Sequence, residues 1–132
     1  MSLELHLSIY PRARNQDKAR NAIARVQKRL PIKLRVKNIE RNYQDKSTFR
    51  VDCTVPLRGK SPQNALYESL CICQNISICW VLFGPEKRTD GHWEFHAHAL
   101  EHQIGVQGIK YAAFTISDGP IPELIVLNVP DG

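Results

Sequence analysis

The spacing of apolar residues switches between two residues and about 3.6 residues along this chain, and this switching restricts the fold more than any other feature. Apolar side chains at every second position predict a first strand with one buried face: Leu3, Leu5, Leu7 and Ile9. A stripe at helical spacing predicts a first helix between Asn15 and Pro31: Ala19, Ala22, Ile23, Val26 and Leu30. The chain therefore begins with a strand and an amphipathic helix.

The next elements follow the same two spacings. Apolar and basic residues alternate over residues 32–37 and predict a second strand, and the change of parity by Ile39 indicates a bulge. Residues 49–55 alternate again and predict a third strand. A second helix is predicted to begin at Ser61 and Pro62, because serine is a good N-cap and proline suits the first helical position.

The second half of the chain is predicted to be mostly strand. The run over residues 76–83 is apolar at both parities, which is typical of a strand that is covered on both faces or lies inside a sheet. A hairpin loop over residues 84–91 follows, with Thr-Asp-Gly as its turn. Further strands are predicted over residues 92–99, 109–116 and 124–129.

This order of elements predicts an α+β fold: a ferredoxin-like β-α-β-β-α-β half with a C-terminal antiparallel β extension. The length of 132 residues suits a single α+β domain over residues 1–132. Two helices would cover one face of an antiparallel sheet. The later strands would either extend that sheet or cross its open face, and the sequence leaves both arrangements open.

Charge is distributed unevenly along the chain. Residues 1–60 contain 15 Lys or Arg against 5 Asp or Glu, a net charge of +10, whereas residues 61–132 contain 3 against 8, a net charge of −5. An asymmetry of this size indicates one positive region that attracts an acidic protein or a nucleic acid. The candidate anchors are Arg14 and Lys18 at the start of the first helix and Arg35 and Lys37 on the second strand.

The compartment is predicted from the four cysteines, Cys53, Cys71, Cys73 and Cys79. No secretion signal precedes them, so a reducing cytoplasm and free thiols are expected. Their spacing lacks the paired pattern of a zinc finger, and they are interpreted as small buried apolar residues. No run of about 18 apolar residues predicts a membrane span.

Four of the five histidines fall between residues 91 and 102. His96 and His98 lie two apart on one strand face, about 7 Å from each other, which suits two ligands of a zinc or iron ion if Glu94 or Glu101 completes the site. The alternatives are a solvent-facing polar stripe and a partner-binding patch. The sequence contains no nucleotide-binding, serine-hydrolase or metalloprotease motif. Neither catalysis nor a bound metal or cofactor is expected.

The chain resembles the small bacterial immunity proteins of contact-dependent inhibition and bacteriocin systems in its size, its order of elements and its lack of an active-site motif. This resemblance implies a non-enzymatic cytoplasmic protein that binds and neutralises one cognate toxin. Immunity proteins against nucleases are often acidic, so the net charge of +5 implies a toxin with an acidic surface. His96 and Tyr111 are lesser anchors, on the rim, if the C-terminal extension forms the interface.

Two other functions remain as alternatives. A nucleic-acid-binding protein would use the basic half, although the aromatic fingerprint of RNA-binding ferredoxin-like sheets is missing. Its binding would be weak and independent of base sequence at physiological salt. A small metal-dependent enzyme would use the strand that carries His96 and His98.

Overall fold

The computed structural model describes residues 3–99 and 101–119. The strands are β1 (Glu4–Pro11), β2 (Arg35–Arg41), β3 (Phe49–Pro56), β4 (Val81–Lys87), β5 (Trp93–Ala99) and β6 (Ile109–Ser117). The helices are α1 (Gln16–Arg29) and α2 (Pro62–Cys73), with a single 3-10 turn at Glu101–Gln103. The strands form one antiparallel sheet in the order β2-β3-β1-β6-β5-β4. The α+β class predicted from the sequence is confirmed.

Helix α1 begins and ends where its sequence signals predict. The Asn15 side chain caps it by accepting a hydrogen bond from the backbone N–H of Lys18, at 2.9 Å. Asp17 lies in the first turn and the helix ends at Arg29, directly before the Leu30–Pro31 pair. The predicted apolar stripe is buried: Ala19, Ala22, Ile23, Val26 and Leu30.

The hydrophobic core lies between the helices and one face of the sheet. Leu7 of β1 is paired in register with Cys53 of β3 on one side and with Phe114 of β6 on the other. Phe114 is paired in turn with Ala97 of β5. All four side chains are buried in the same cluster as Val26 of α1. The opposite face of the sheet, which we call the open face, carries the polar parity of these strands.

The ferredoxin-like arrangement of the first half is not confirmed. The order β2-β3-β1 agrees with it, but the strand on the other side of β1 is β6 and not the fourth strand. Strand β6 suits a central position because the side chains on one of its faces are all buried: Ala112, Phe114 and Ile116. It pairs with β1 along its length. Strand β4 contains Pro85, whose nitrogen has no hydrogen to donate, so it suits the edge of a sheet. Strands β5 and β6 therefore extend the sheet.

The prediction of a doubly covered strand over residues 76–83 is wrong. Ile76 is buried in the connection after α2, and Trp80 packs on Phe114 with ring centroids 5.2 Å apart. The strand begins only at Val81, lies at the edge of the sheet and is exposed at every position. The apolar residues of this run are thus divided between core packing by Ile76 and Trp80 and exposed positions at Ile78 and residues 81–83.

Several smaller predictions are resolved by the backbone. The bulge expected near Ile39 is present, since the pairing of β2 with β3 shifts between Val36 and Asn38. The hairpin turn is confirmed at Gly91, whose φ is +89°, although the preceding residues Gly84–Lys87 belong to β4 rather than to the loop. The strand predicted over residues 124–129 lies outside the described residues.

The interpretation of the cysteines holds for only part of the set. Cys53 and Cys73 are buried, Cys71 is partly buried and Cys79 is exposed. Burial raises the pKa of the Cys53 thiol to about 12, so this thiol is protonated at neutral pH and packs as a small apolar group. All four cysteines are free.

Candidate protein-binding surfaces

Helix α1 and strand β2 are held side by side by hydrogen bonds. The Gln27 side chain donates to the carbonyl oxygen of Ile32 at 2.9 Å and accepts from the backbone N–H of Leu34 at 2.7 Å. At the other end, the Gln16 side chain donates to the carbonyl oxygen of Ile39 at 3.5 Å. These bonds join the end of α1 to the start of β2, and the start of α1 to the end of β2.

Two of the predicted anchors lie at the start of α1. Arg14 and Lys18 are both exposed. The guanidinium of Arg41 donates to the carbonyl oxygen of Arg14 at 2.8 Å and lies 4.3 Å from the ring centroid of Phe49. Because Phe49 is buried, Arg41 ties the backbone at Arg14 to the core.

The other two basic anchors lie on β2. Arg35 is exposed, and its guanidinium lies 3.9 Å from a carboxylate oxygen of Glu4. Lys37 is exposed at the bulge. The basic anchors therefore lie at the start of α1 and on the neighbouring edge strand β2. We call this set the basic surface: Arg14, Lys18, Arg35 and Lys37.

His96 and Tyr111 lie on the open face and are not part of the basic surface. His96 belongs to β5 and Tyr111 to β6. Three strands separate β2 from β5 in the sheet, which corresponds to about 19 Å at the usual strand spacing. The sequence-predicted anchors thus form two separate groups.

The histidine side chains of β5 form contacts with different partners. His96 bonds to the Glu94 carboxylate through Nε2, and its Nδ1 lies 3.1 Å from the Thr115 hydroxyl. Arg88 also contacts Glu94, at 3.4 Å. His98 stacks on Phe83, with ring centroids 5.7 Å apart and an interplanar angle of 6°.

These contacts bear on the metal alternative raised by the histidines. The buried Nδ1 of His98 has no hydrogen-bond partner within residues 3–99 and 101–119. Among the residues that the structure describes, no three His, Cys, Asp or Glu side chains lie close enough together to hold a metal ion. The geometry at His96 and His98 is that of two side chains packed independently.

An aromatic row crosses the open face from β4 to β1. After the Phe83–His98 stack, His98 lies 6.1 Å from Tyr111, and Tyr111 lies 5.3 Å from Tyr10, between ring centroids. Burial raises the pKa of Tyr10 to about 12 and also raises the pKa of Tyr111. Both phenols are therefore neutral at physiological pH.

A buried ionic cluster lies beside this row, on β3. The Arg50 side chain is only 2% exposed and donates through Nε to the Asp52 carboxylate at 3.1 Å. Ser8 donates to the same carboxylate oxygen at 2.9 Å, and Glu40 lies 3.8 Å from the guanidinium. The alternating pattern of β3 placed Arg50 on the polar face, but its burial depends on residues from two other strands.

A cavity of about 340 Å³ opens at the end of the open face, where the β2–β3 loop meets β6. Its lining residues are Tyr10, Asn42, Gln44, Asp45, Thr48, Lys110 and Tyr111. The Lys110 ammonium and the Asp45 carboxylate form an ion pair in its wall. Asp45 also accepts hydrogen bonds from the hydroxyl of Ser47 at 2.6 Å and from its backbone N–H at 3.1 Å.

The ion pair with Lys110 is the main reason that the pKa of Asp45 is lowered to about 2, and the Ser47 hydrogen bonds add to the shift. A carboxyl whose pKa is lowered in the folded state stabilises the fold above its ordinary pKa, and this contribution is lost as the pH falls towards 2. We expect Lys110→Met to raise the pKa of Asp45 towards 3.8, as measured by NMR titration of the carboxyl carbon.

Lys46→Met is the matched control for this measurement, because Lys46 is an exposed lysine next to Asp45 in the chain and Lys110 is the ion-pair partner. It is expected to leave the pKa of Asp45 nearly unchanged. An equal shift in both variants would contradict a specific ion pair.

An exposed apolar edge that was not predicted from the sequence lies on the side of the sheet opposite β2. Ile78, Val81, Leu82 and Phe83 are all exposed large apolar residues. Val81 and Phe83 pair with His98 and His96, so they point to the open face, and Leu82 pairs with Ala97 and points to the helix face. We call residues 81–83 the apolar edge. Pro85 was the signal that marked this strand as an edge.

Comparison of the chain with protein-family models, curated proteins and solved structures found no match. The helices in the described part of the chain lack the length and apolar character needed to cross a membrane.

Proposed function

We propose that this protein is a non-enzymatic inhibitor of the immunity type, which binds a cognate toxin through the basic surface and neutralises it. The observation that carries the proposal is the exposure of four basic residues: Arg14 just before α1, Lys18 on α1, and Arg35 and Lys37 on β2. Hydrogen bonds hold α1 and β2 together. A fixed array of like charges attracts an acidic protein surface and orients it during encounter.

A nucleic acid is the second candidate partner, because α1 presents further exposed basic residues: Arg20, Arg25, Lys28 and Arg29. Nucleic-acid-binding proteins usually combine basic residues with stacking aromatic side chains on the same surface. Here α1 packs on the core face of the sheet, whereas the aromatic row from Phe83 to Tyr10 lies on the open face. This separation favours a protein partner.

The proposal predicts the effect of the double charge reversal Arg35→Glu with Lys37→Glu. The partner is first recovered by pull-down from the native host. The double variant is then expected to bind it with an association rate lower by roughly tenfold or more, and with a weaker dependence on salt, because electrostatic steering is lost. Stopped-flow mixing at several salt concentrations measures both quantities.

Arg58→Glu with Lys60→Glu is the matched control, since it makes the same change of charge at two exposed residues of the β3–α2 connection. It is expected to slow association much less. Growth of cells that express the recovered toxin provides the functional readout, and wild-type protein should restore it. A recovered partner that is not toxic, or a toxin against which the protein gives no protection, would refute the immunity role. Tight binding of a defined RNA or DNA at physiological salt would favour the second candidate.

A further inference from the structure

We propose that the apolar edge of β4 binds a second copy of this chain, so that two sheets join across a two-fold axis into one continuous antiparallel sheet. Four of the seven exposed large apolar residues in the described part of the chain lie at residues 78–83. An edge strand presents a row of backbone groups available for pairing with another strand. This proposal is independent of the immunity function.

The positions of the apolar side chains indicate strand pairing rather than docking on one face. Phe83 and Val81 are exposed on the open face, and Leu82 is exposed on the helix face. A partner lying on either face alone would leave one of these groups in water. A strand added beside β4 would place its own side chains against both groups at once.

The second half of β4 limits where such a strand can pair. The pairing of β4 with β5 is irregular between Phe83 and Glu86, and Pro85 has no N–H to donate. Glu86 and Lys87 are exposed charges, which protect an edge from association. The pairing is therefore confined to residues 81–83.

Symmetry then selects one register for a second copy. Directly opposed residues of an antiparallel pair point to the same face, so a two-fold axis normal to the sheet must lie midway between the two copies of one residue. We name each possible axis by that residue. An axis through Leu82 sets Val81 against Phe83 of the other copy, which matches apolar side chains on both faces. An axis through Phe83 would set Val81 against Pro85, and an axis through Gly84 would set Leu82 against Glu86.

The charges of the two copies are compatible with the register through Leu82. The two Glu86 side chains would lie about 26 Å apart along the joined strands. This distance exceeds the screening length of about 8 Å at physiological salt, so their repulsion is small. The opposite edge strand, β2, carries Arg35 and Lys37 around its exposed Val36, and like charges there oppose self-pairing.

The test is the mass of the purified full chain in sedimentation velocity runs over a wide range of concentration. Wild-type protein is expected to shift from the mass of one chain to twice that mass as the concentration rises. Leu82→Lys and Leu82→Glu should each remain at the mass of one chain, because residue 82 meets its own copy at the axis. An equimolar mixture of the two variants should regain the doubled mass, since lysine then opposes glutamate.

Val36→Lys is the matched control, because Val36 is 43% exposed on edge strand β2 and Val81 is 40% exposed on β4. It should associate like wild type. Phe83→Lys, at another exposed position, replaces Leu82→Lys if circular dichroism shows that the latter does not fold. Wild-type protein that keeps the mass of one chain throughout overturns the proposal. A dimer that persists in the folded β4 variants also overturns it. An equimolar mixture of Leu82→Lys and Leu82→Glu that stays monomeric does the same. If the wild type is monomeric and a β4 variant loses its binding to a different protein, the edge is the binding site of that protein instead.

Discussion

Phe114→Ala is expected to lower the free energy of unfolding by about 4 kcal/mol. Phe114 is 1% exposed at the centre of the sheet, where it is paired with Leu7 and Ala97 and packs on Trp80. Its removal loses the transfer free energy of a buried ring and leaves a cavity between elements that cannot collapse freely. Equilibrium unfolding in urea, followed by circular dichroism, measures the loss.

Phe83→Ala is the matched control for this change. Phe83 is 48% exposed on the edge strand, and its ring stacks on His98. At a protein concentration where the wild type is monomeric, its removal is expected to cost less than about 1 kcal/mol, because little surface buried within one chain is lost. Equal losses in the two variants would contradict the assignment of β4 to the edge of the sheet. Both residues lie in strongly apolar runs, so the comparison distinguishes position in the sheet from local composition.

Asp52→Ala is expected to lower the free energy of unfolding by about 3 kcal/mol. The Asp52 carboxylate accepts from Nε of the buried Arg50 and from the Ser8 hydroxyl. Removal of a partner from a buried ion pair costs more than the pair itself contributes, because a desolvated charge loses one of its partners. The same urea titration applies, with the pH held near neutrality.

Two further variants separate this effect from a general effect of losing a carboxylate. Asp90→Ala removes an aspartate whose ion pair with Arg88, at 2.7 Å, lies nearer the solvent, and it is expected to cost less than about 1 kcal/mol. Adding Arg50→Met to Asp52→Ala should recover part of the lost stability, because the buried charge is then absent. A double variant that is less stable than the sum of its single changes would contradict this account.

Much of the fold followed from local patterns. The buried stripe of α1, the capping role of Asn15 and the bulge before Ile39 were all predicted from residues close together in the chain. Local patterns also predicted that Arg35 and Lys37 are exposed, which the structure confirms. These features depend on backbone preferences and on which side of one element is apolar, and neighbouring residues determine both.

The candidate surfaces were predicted less completely. The exposure of the basic residues was expected, but the hydrogen bonds from Gln16 and Gln27 that join α1 to β2 connect residues whose pairing has no local signature. The apolar edge was mistaken for a buried strand, because an apolar run has the same composition in both positions. Only Pro85 distinguished the two positions, through its missing N–H.

The sequence by itself determined most of the strands and helices, though not the bounds of β4, and which face of most of them is buried, because side-chain periodicity within one element contains that information. The tertiary structure decided which strands are neighbours. It placed β6 beside β1, left β4 and β2 as the edges, and brought Lys110 to Asp45 across 65 positions of the chain. Several strands have an apolar face similar to that of β6. The choice among them depends on how all the faces pack together and on the burial of Arg50, neither of which is a property of one segment.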